Sequence, residues 1–206
     1  MISSQQEKRI FSSGYKWVGG IDEAGRGPLA GPVVAACVLS EKTFNFKNKK
    51  FRDLNDSKKI AEEKREEIFE NLMNSDLRIG VGICSHLIID KINILQATFL
   101  AMKKAVNALE KKPDFIFVDG KLLIPRLEIK QQAVIGGDGK IFLVAAASVI
   151  AKVTRDRIMK KMHKKFPDYN FLENKGYCTS EHMKLLEKNG PCRIHRRSFF
   201  PVSLYD

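Results

Sequence analysis

Five residues of one short stretch, Gly25, Gly27, Pro28, Gly31 and Pro32, constrain the fold more than any other feature of the chain. Proline lacks the N–H that a helix interior needs, and glycine weakens helices further, so no helix can cross residues 25–32. The apolar runs on either side, WVGGI at 17–21 and VVAACVL at 33–39, are therefore expected as two strands joined by a tight turn. The second run is bounded by Pro32 and Ser40 and reads as buried. Beyond a basic loop at 41–56, Ser57 is expected to cap a helix reaching about Asn74. IGVGIC at 79–84 predicts a third strand, and Asp90 a cap for the most regular helix of the chain. That helix carries Ile92, Leu95, Phe99, Met102, Val106 and Leu109, the alternating three- and four-residue spacing of one buried face. FIFV at 115–118 and residues 132–135 predict two more strands, and a long helix follows from Phe142 to about Phe166. The first sixteen residues read as a polar lead, and the last forty as helical, loopy and basic.

The order β-β-α-β-α-β-β-α departs from the strict alternation of a doubly wound fold. It predicts an α/β protein with a mixed five-stranded sheet flanked by helices. A chain of 206 residues with 44% hydrophobic side chains can build a real core, which excludes disordered, collagen-like and disulfide-stapled classes. The longest apolar run, residues 141–151, is closed by Lys140 and Lys152 and falls short of the about 20 residues that span a bilayer. MISSQQEKRI offers no apolar signal region, so the cytoplasm is the expected compartment. Thirty-six Lys and Arg against 24 Asp and Glu leave a net charge of +12, which points to a polyanionic partner, nucleic acid first. The cysteines at 37, 84, 178 and 192 are expected as free thiols. Cys178, His182, Cys192 and His195 have a superficial zinc-site look, but their spacing is looser than that of standard structural sites. A non-catalytic zinc-containing binder of nucleic acid is the competing reading they support.

Acids stand directly after the buried runs: Asp22-Glu23 after the first strand, Asp119 after the fourth and Asp138 after the fifth. A single acid there is usually a turn former. If the strands adjoin, however, four carboxylates converge and cannot all stay ionised unaided. Hard divalent cations resolve that repulsion, Mg²⁺ or Mn²⁺ above all, and carboxylates holding two such ions in a basic protein describe a phosphodiester-cleaving site. Gly25-x-Gly27-x-x-Ala30 formally matches a dinucleotide-binding fingerprint. Pro28 and Pro32 oppose the helix it must open, and Asp22-Glu23 would set negative charge beside a phosphate. What remains is a glycine turn that lets backbone approach a ligand, beside an arginine suited to phosphate.

The string GIDEAGRGPLAGPVVAA at 20–36 resembles the signature of ribonuclease HII, the type 2 ribonuclease H. LNDSKK at 54–59, FVDG at 117–120, GGD at 136–138, AAASVIAKVTRD at 145–156, KGYCTSEH at 175–182 and GPCRIHRRSF at 190–199 match further in the same order. The resemblance implies an RNase H-like domain over residues 1–166 and a small helical C-terminal part over 167–206, packing on the substrate side. It implies cleavage of the RNA strand of RNA/DNA hybrids and incision at single ribonucleotides in duplex DNA, with Mg²⁺ or Mn²⁺, two ions in the substrate complex. Asp22, Glu23, Asp119 and Asp138 match the metal-binding acids, and Gly25, Arg26 and Gly27 the tripeptide that recognises the 2′-hydroxyl. Tyr177 matches a tyrosine that packs on the next deoxyribose, while Asp56 to Lys58 and Ser148 to Lys152 match segments near the phosphate backbone. No histidine is implied as an indispensable base; His163, His182 and His195 are assigned to packing or hydrogen bonding, the latter two also to phosphate contact. A monomer without obligate protein partner or membrane contact is expected. A junction resolvase on the same acidic scaffold is the neighbouring alternative. One departure concerns Cys178, which stands where the pattern has glycine and would strain the loop of Tyr177 if that position needs a positive φ.

Overall fold

The computed structural model describes residues 2, 4–54, 57 and 60–205. Its strands are β1 (Trp17–Ala24), β2 (Val33–Glu41), β3 (Arg78–Cys84), β4 (Phe115–Asp119) and β5 (Lys130–Val134). They form one mixed sheet in the order β3-β2-β1-β4-β5. β2 runs antiparallel to both β1 and β3, whereas β4 runs parallel to β1 and to β5. The expected mixed α/β sheet is thus the observed one.

Residues along β2 divide by parity, as side chains of a strand must. Ala36 and Val38 join the core on one face, while Val33, Ala35, Cys37 and Leu39 join the core on the other. In β4, Phe115 and Phe117 face the first core and Ile116 and Val118 the second. Strands buried on both faces explain the unbroken apolar runs of the sequence. Helix α3 (His86–Asn107) covers the second core, and α4 (Phe142–Lys165) the first, with α2 (Glu62–Met73) packed on α4. Gly20 makes the close approach of α4 possible, since a Cβ there would lie 2.3 Å from the Leu143 carbonyl carbon.

Three helix starts differ from expectation. The polar lead contains a helix, α1 (Gln5–Ser12), whose Glu7 is buried and accepts a hydrogen bond from Leu143 N–H at 3.1 Å. This carboxylate caps α4 from 136 residues away, where the N-cap residue Ile141 supplies no side chain. Burial pushes its pKa up to about 7 against the opposing hydrogen bonds. Ser57 does not cap α2, whose N-cap is Ala61; it is buried and hydrogen-bonded to Ser148 across 2.8 Å. Asp90 does not cap α3 either. The helix kinks at Asn93 (φ 64°), whose side chain accepts from Gln96 N–H and so begins the second segment. Asp90 instead accepts from the N–H groups of Arg197 and Ser198, each at 3.0 Å.

The C-terminal residues, with the single-turn α5 (Phe171–Asn174) and α6 (Ser180–Asn189), pack on the glycine turn. Ala30 and Met159 share a cluster with Tyr169, Phe171 and Ile194, and Leu29 another with Leu186 and Val202. Backbone bonds reinforce this, from Leu29 N–H to Gly176 C=O and from Arg196 N–H to Leu29 C=O, both 2.8 Å. Among the described residues, no helix is long and apolar enough to cross a membrane.

Candidate active site

Parallel pairing of β1 with β4 aligns Ile21 with Val118, so the next residues, Asp22 near the end of β1 and Asp119 at the end of β4, stand side by side. Glu23 follows on β1. The β4–β5 register then leads through Val134, opposite Asp119, to the short 3₁₀ turn Gly137–Gly139 that carries Asp138. Gly137 N–H donates to Asp119 Oδ1 at 2.7 Å, tying the third acid to the turn of the fourth. Asp22 is buried, and Glu23 N–H donates to its Oδ1 at 2.7 Å. Burial first, then repulsion from Glu23 and Asp119, holds the Asp22 carboxyl well above the ordinary carboxylate range, against hydrogen bonds from Ser148 and from Glu23 N–H. The Ser148 hydroxyl is in turn hydrogen-bonded to that of Ser57 at 2.8 Å. Among the described residues, no three Asp, Glu, His or Cys side chains are already closed into a metal cage. The donor set nevertheless suits a hard cation: oxygen ligands only, with a buried carboxyl in the field of two others.

A cleft of about 710 Å³ opens beside these acids. Glu23 lines it, together with Gly25, Arg26 and Gly27 of the turn, Ser148 and Lys152 of α4, and Tyr177. Asp22, Asp119 and Asp138 lie outside that lining, so the acids adjoin the cleft through Glu23. Arg26 reaches back to Glu23 at 3.4 Å. Tyr177 is 37% exposed, with Lys152 Nζ 5.6 Å and the Arg155 guanidinium 5.4 Å from its ring centroid. Cys178 imposes no strain: the positive φ angles of this loop belong to Lys175 and Gly176. Lys58 and Asp56 lie outside the described residues.

The two outer glycines of the turn differ. Gly25 has φ +95°, and a Cβ on it would lie 2.1 Å from Arg155 Nε, whereas a Cβ on Gly27 would meet nothing within 4 Å. Sequence reasoning missed the residues that hold this turn. Arg155 donates to the carbonyls of Ala30 (3.1 Å), Pro32 (3.1 Å) and Lys175 (3.0 Å). Arg196 donates to those of Gly25 (2.6 Å), Arg26 (2.9 Å), Gly31 (3.0 Å) and Pro32 (3.2 Å). Both are fully buried. Burial, then the neighbouring Arg155 cation, pushes the Arg196 pKa down to about 9, which leaves it charged at neutral pH. Both stand in the matched strings, but bonds that span 123 to 171 residues, and 20 for Lys175, leave no local signal of what they hold.

His182 and His195 are buried rather than placed to touch phosphate. His195 Nδ1 accepts from Cys192 N–H at 3.0 Å, so its Nε2 carries the proton and donates to His182 Nε2 at 3.1 Å. His182 Nδ1 then donates to the Tyr177 carbonyl at 2.8 Å. Cys192 and His182 contact opposite edges of the His195 ring, and the exposed Cys178 joins neither, so the zinc reading finds no common ion position.

The family model described as Ribonuclease HII matches residues 19–202. The chain is 48% identical over 193 residues to a ribonuclease HII of Caldanaerobacter subterraneus, covering 94% of this chain and 78% of that one. Its fold resembles the crystal structure of the ribonuclease H2 from Pyrococcus horikoshii, with TM-score 0.73, 29% identity and coverage of 92% and 96%. A Bst-RNase HIII solved in complex with Mn²⁺ shares the fold at TM-score 0.67 and 17% identity, over 91% of this chain and 68% of that one.

Proposed function

This chain belongs to the ribonuclease HII family, which makes it a metal-dependent endoribonuclease, and from that premise we propose that it cuts the RNA strand of RNA/DNA hybrids and incises duplex DNA 5′ to a single embedded ribonucleotide. The observation that carries the reading is the meeting of Asp22, Glu23 and Asp119 at one sheet end, beside a cleft lined by the glycine turn. Asp22, Glu23, Asp119 and Asp138 are the residues that would hold Mg²⁺ or Mn²⁺, two ions in the substrate complex. Such ions supply an activated water and neutralise charge on the leaving oxygen.

The chain's own groups do the rest. Glu23 N–H and Ser148 hold the Asp22 carboxyl in place, and Gly137 N–H does the same for Asp119. Gly25, Arg26 and Gly27 would read the 2′-hydroxyl, the group by which a site tells RNA from DNA. The partly exposed ring of Tyr177 would pack on the deoxyribose that follows. Lys152 lines the cleft within reach of phosphate, and Lys58 is proposed for the same role from the resemblance. Residues 167–206 serve as a C-terminal part that backs the turn and carries Tyr177.

The test is cleavage of an end-labelled RNA strand annealed to DNA, with Mg²⁺, with Mn²⁺ and with chelator. Internal cuts leaving 3′-hydroxyl and 5′-phosphate ends in either metal, and none in chelator, are expected. Undiminished cutting in chelator, or 2′,3′-cyclic phosphate ends, would overturn the reading.

A further inference from the structure

Among the described residues, the only cis peptide is Phe200–Pro201, so the Gly25–Arg26 and Arg26–Gly27 peptides are trans. In a trans peptide the C=O and N–H point in opposite directions. The carbonyls of Gly25 and Arg26 are both bonded to Arg196, which is fully buried behind the turn. The N–H groups of Arg26 and Gly27 therefore point the other way, on the side where Gly25, Arg26 and Gly27 line the cleft. Neither N–H is hydrogen-bonded to another group of the described chain. Arg155 completes the frame by sharing the Pro32 carbonyl with Arg196 and joining the turn to Lys175, two residues before Tyr177.

We propose that Arg196, supported by Arg155, is a specificity-determining positioning residue: its guanidinium fixes which way the two peptides face, so that the turn offers the cleft N–H donors rather than carbonyls. The inference rests on the reading of this cleft as a ribonucleotide site and adds what sets its selectivity. The turn then treats the 2′-oxygen as a hydrogen-bond acceptor, and a deoxyribose leaves both donors unmet. A planar fork with five N–H groups can satisfy several carbonyls at once, which a lysine ammonium at the same place cannot. The role is distinct from that of Arg26, whose side chain turns to Glu23 and whose backbone alone is used here.

Two measurements in chelator test it. The first compares affinities of a DNA duplex carrying one ribonucleotide with those of the same duplex fully deoxy, for the unaltered protein and for Arg196→Lys. The unaltered protein prefers the ribonucleotide duplex. In a folded Arg196→Lys that preference falls about tenfold or more, the effect of losing one or two aligned hydrogen bonds, while affinity for the deoxy duplex holds. The second, needing no variant, follows the backbone amide resonances of Arg26 and Gly27 in the unaltered protein. Both shift with the ribonucleotide duplex and stay near their free positions with the deoxy one. A full preference in folded Arg196→Lys overturns the positioning role. So do two amides that respond identically to both duplexes, and this arm decides if Arg196→Lys does not fold. Equal binding of both duplexes by the unaltered protein instead rejects the ribonucleotide reading, and the proposal falls with it.

Discussion

The acids and the glycine turn meet at one cleft but solve opposite electrostatic problems. Beside the strand ends, Asp22 is buried in the repulsion of Glu23 and Asp119, which holds its carboxyl well above the ordinary carboxylate range. In the turn, carbonyls of Gly25, Arg26, Ala30, Gly31 and Pro32 each meet a buried guanidinium. One side is electrostatically incomplete and gains from a cation delivered from outside. The other carries its cations within the fold and presents a finished surface. Glu7 shows that burial of a carboxyl alone does not make the difference. It is also buried and raised, to about 7, yet it caps α4 away from the cleft and has no acidic neighbour among the causes of its shift.

The sharpest way to break this contrast is Asp119→Asn. The amide keeps the oxygen that accepts from Gly137 N–H and removes one of the two charges acting on Asp22. Cleavage should fall by on the order of 10²–10³-fold or more, the scale of one positioned electrostatic group, while the thermal midpoint holds or rises. Near-normal cleavage at saturating Mg²⁺ would remove Asp119 from the site.

Glu7 supplies the control for a carboxyl with a purely structural task. Its folded pKa of about 7 lies above the ordinary 4.5, so the folded state keeps a proton that the unfolded state releases. Stability is therefore fully present below about pH 4.5 and is lost as pH rises toward 7, by about 3 kcal/mol in all. Glu7→Gln, which keeps the acceptor for Leu143 N–H, should flatten that decline in melts between pH 4.5 and 8 without changing metal-dependent cleavage. An unchanged slope would locate the pH dependence elsewhere.

The glycines of the turn sharpen the comparison further. Gly25→Ala forces a Cβ into Arg155 at a positive φ and should cost about 1–3 kcal/mol of stability. Gly27→Ala, with open space around it, should leave the melting curve in place and weaken only the binding of the ribonucleotide duplex. Equal destabilisation by both would mean that the turn's openness toward the cleft serves packing, not a ligand.

What the sequence disclosed follows from the range of each interaction. The central strands were legible because an unbroken apolar run announces burial on two faces, and Asp22, Glu23 and Asp119 because they directly follow such a run. Asp138 instead stands four residues past the partly exposed β5 (KQQAV). Cap positions were not: Ser57 and Asp90 have the chemistry of caps, but both are engaged by residues about a hundred positions away, Ser148 and Arg197–Ser198. The frame of the turn was equally hidden, since an arginine bonding four carbonyls 164 to 171 residues away leaves no periodic signal. The concern over Cys178 was settled by dihedrals that no residue type could announce, with the positive φ angles at 175 and 176.

The most direct measurement of the division between a cation-dependent acid cluster and a donor-bearing turn uses two duplexes that differ by one oxygen. A DNA duplex with a single ribonucleotide and its all-deoxy twin are each incubated with the protein and Mg²⁺, and the products are mapped to the nucleotide. The expected result is one cut, on the 5′ side of the ribonucleotide, and no cut in the all-deoxy duplex. Cutting of the all-deoxy duplex at a comparable rate, or cuts scattered without regard to the ribonucleotide, would contradict the assignment of the turn as the reader beside the acids.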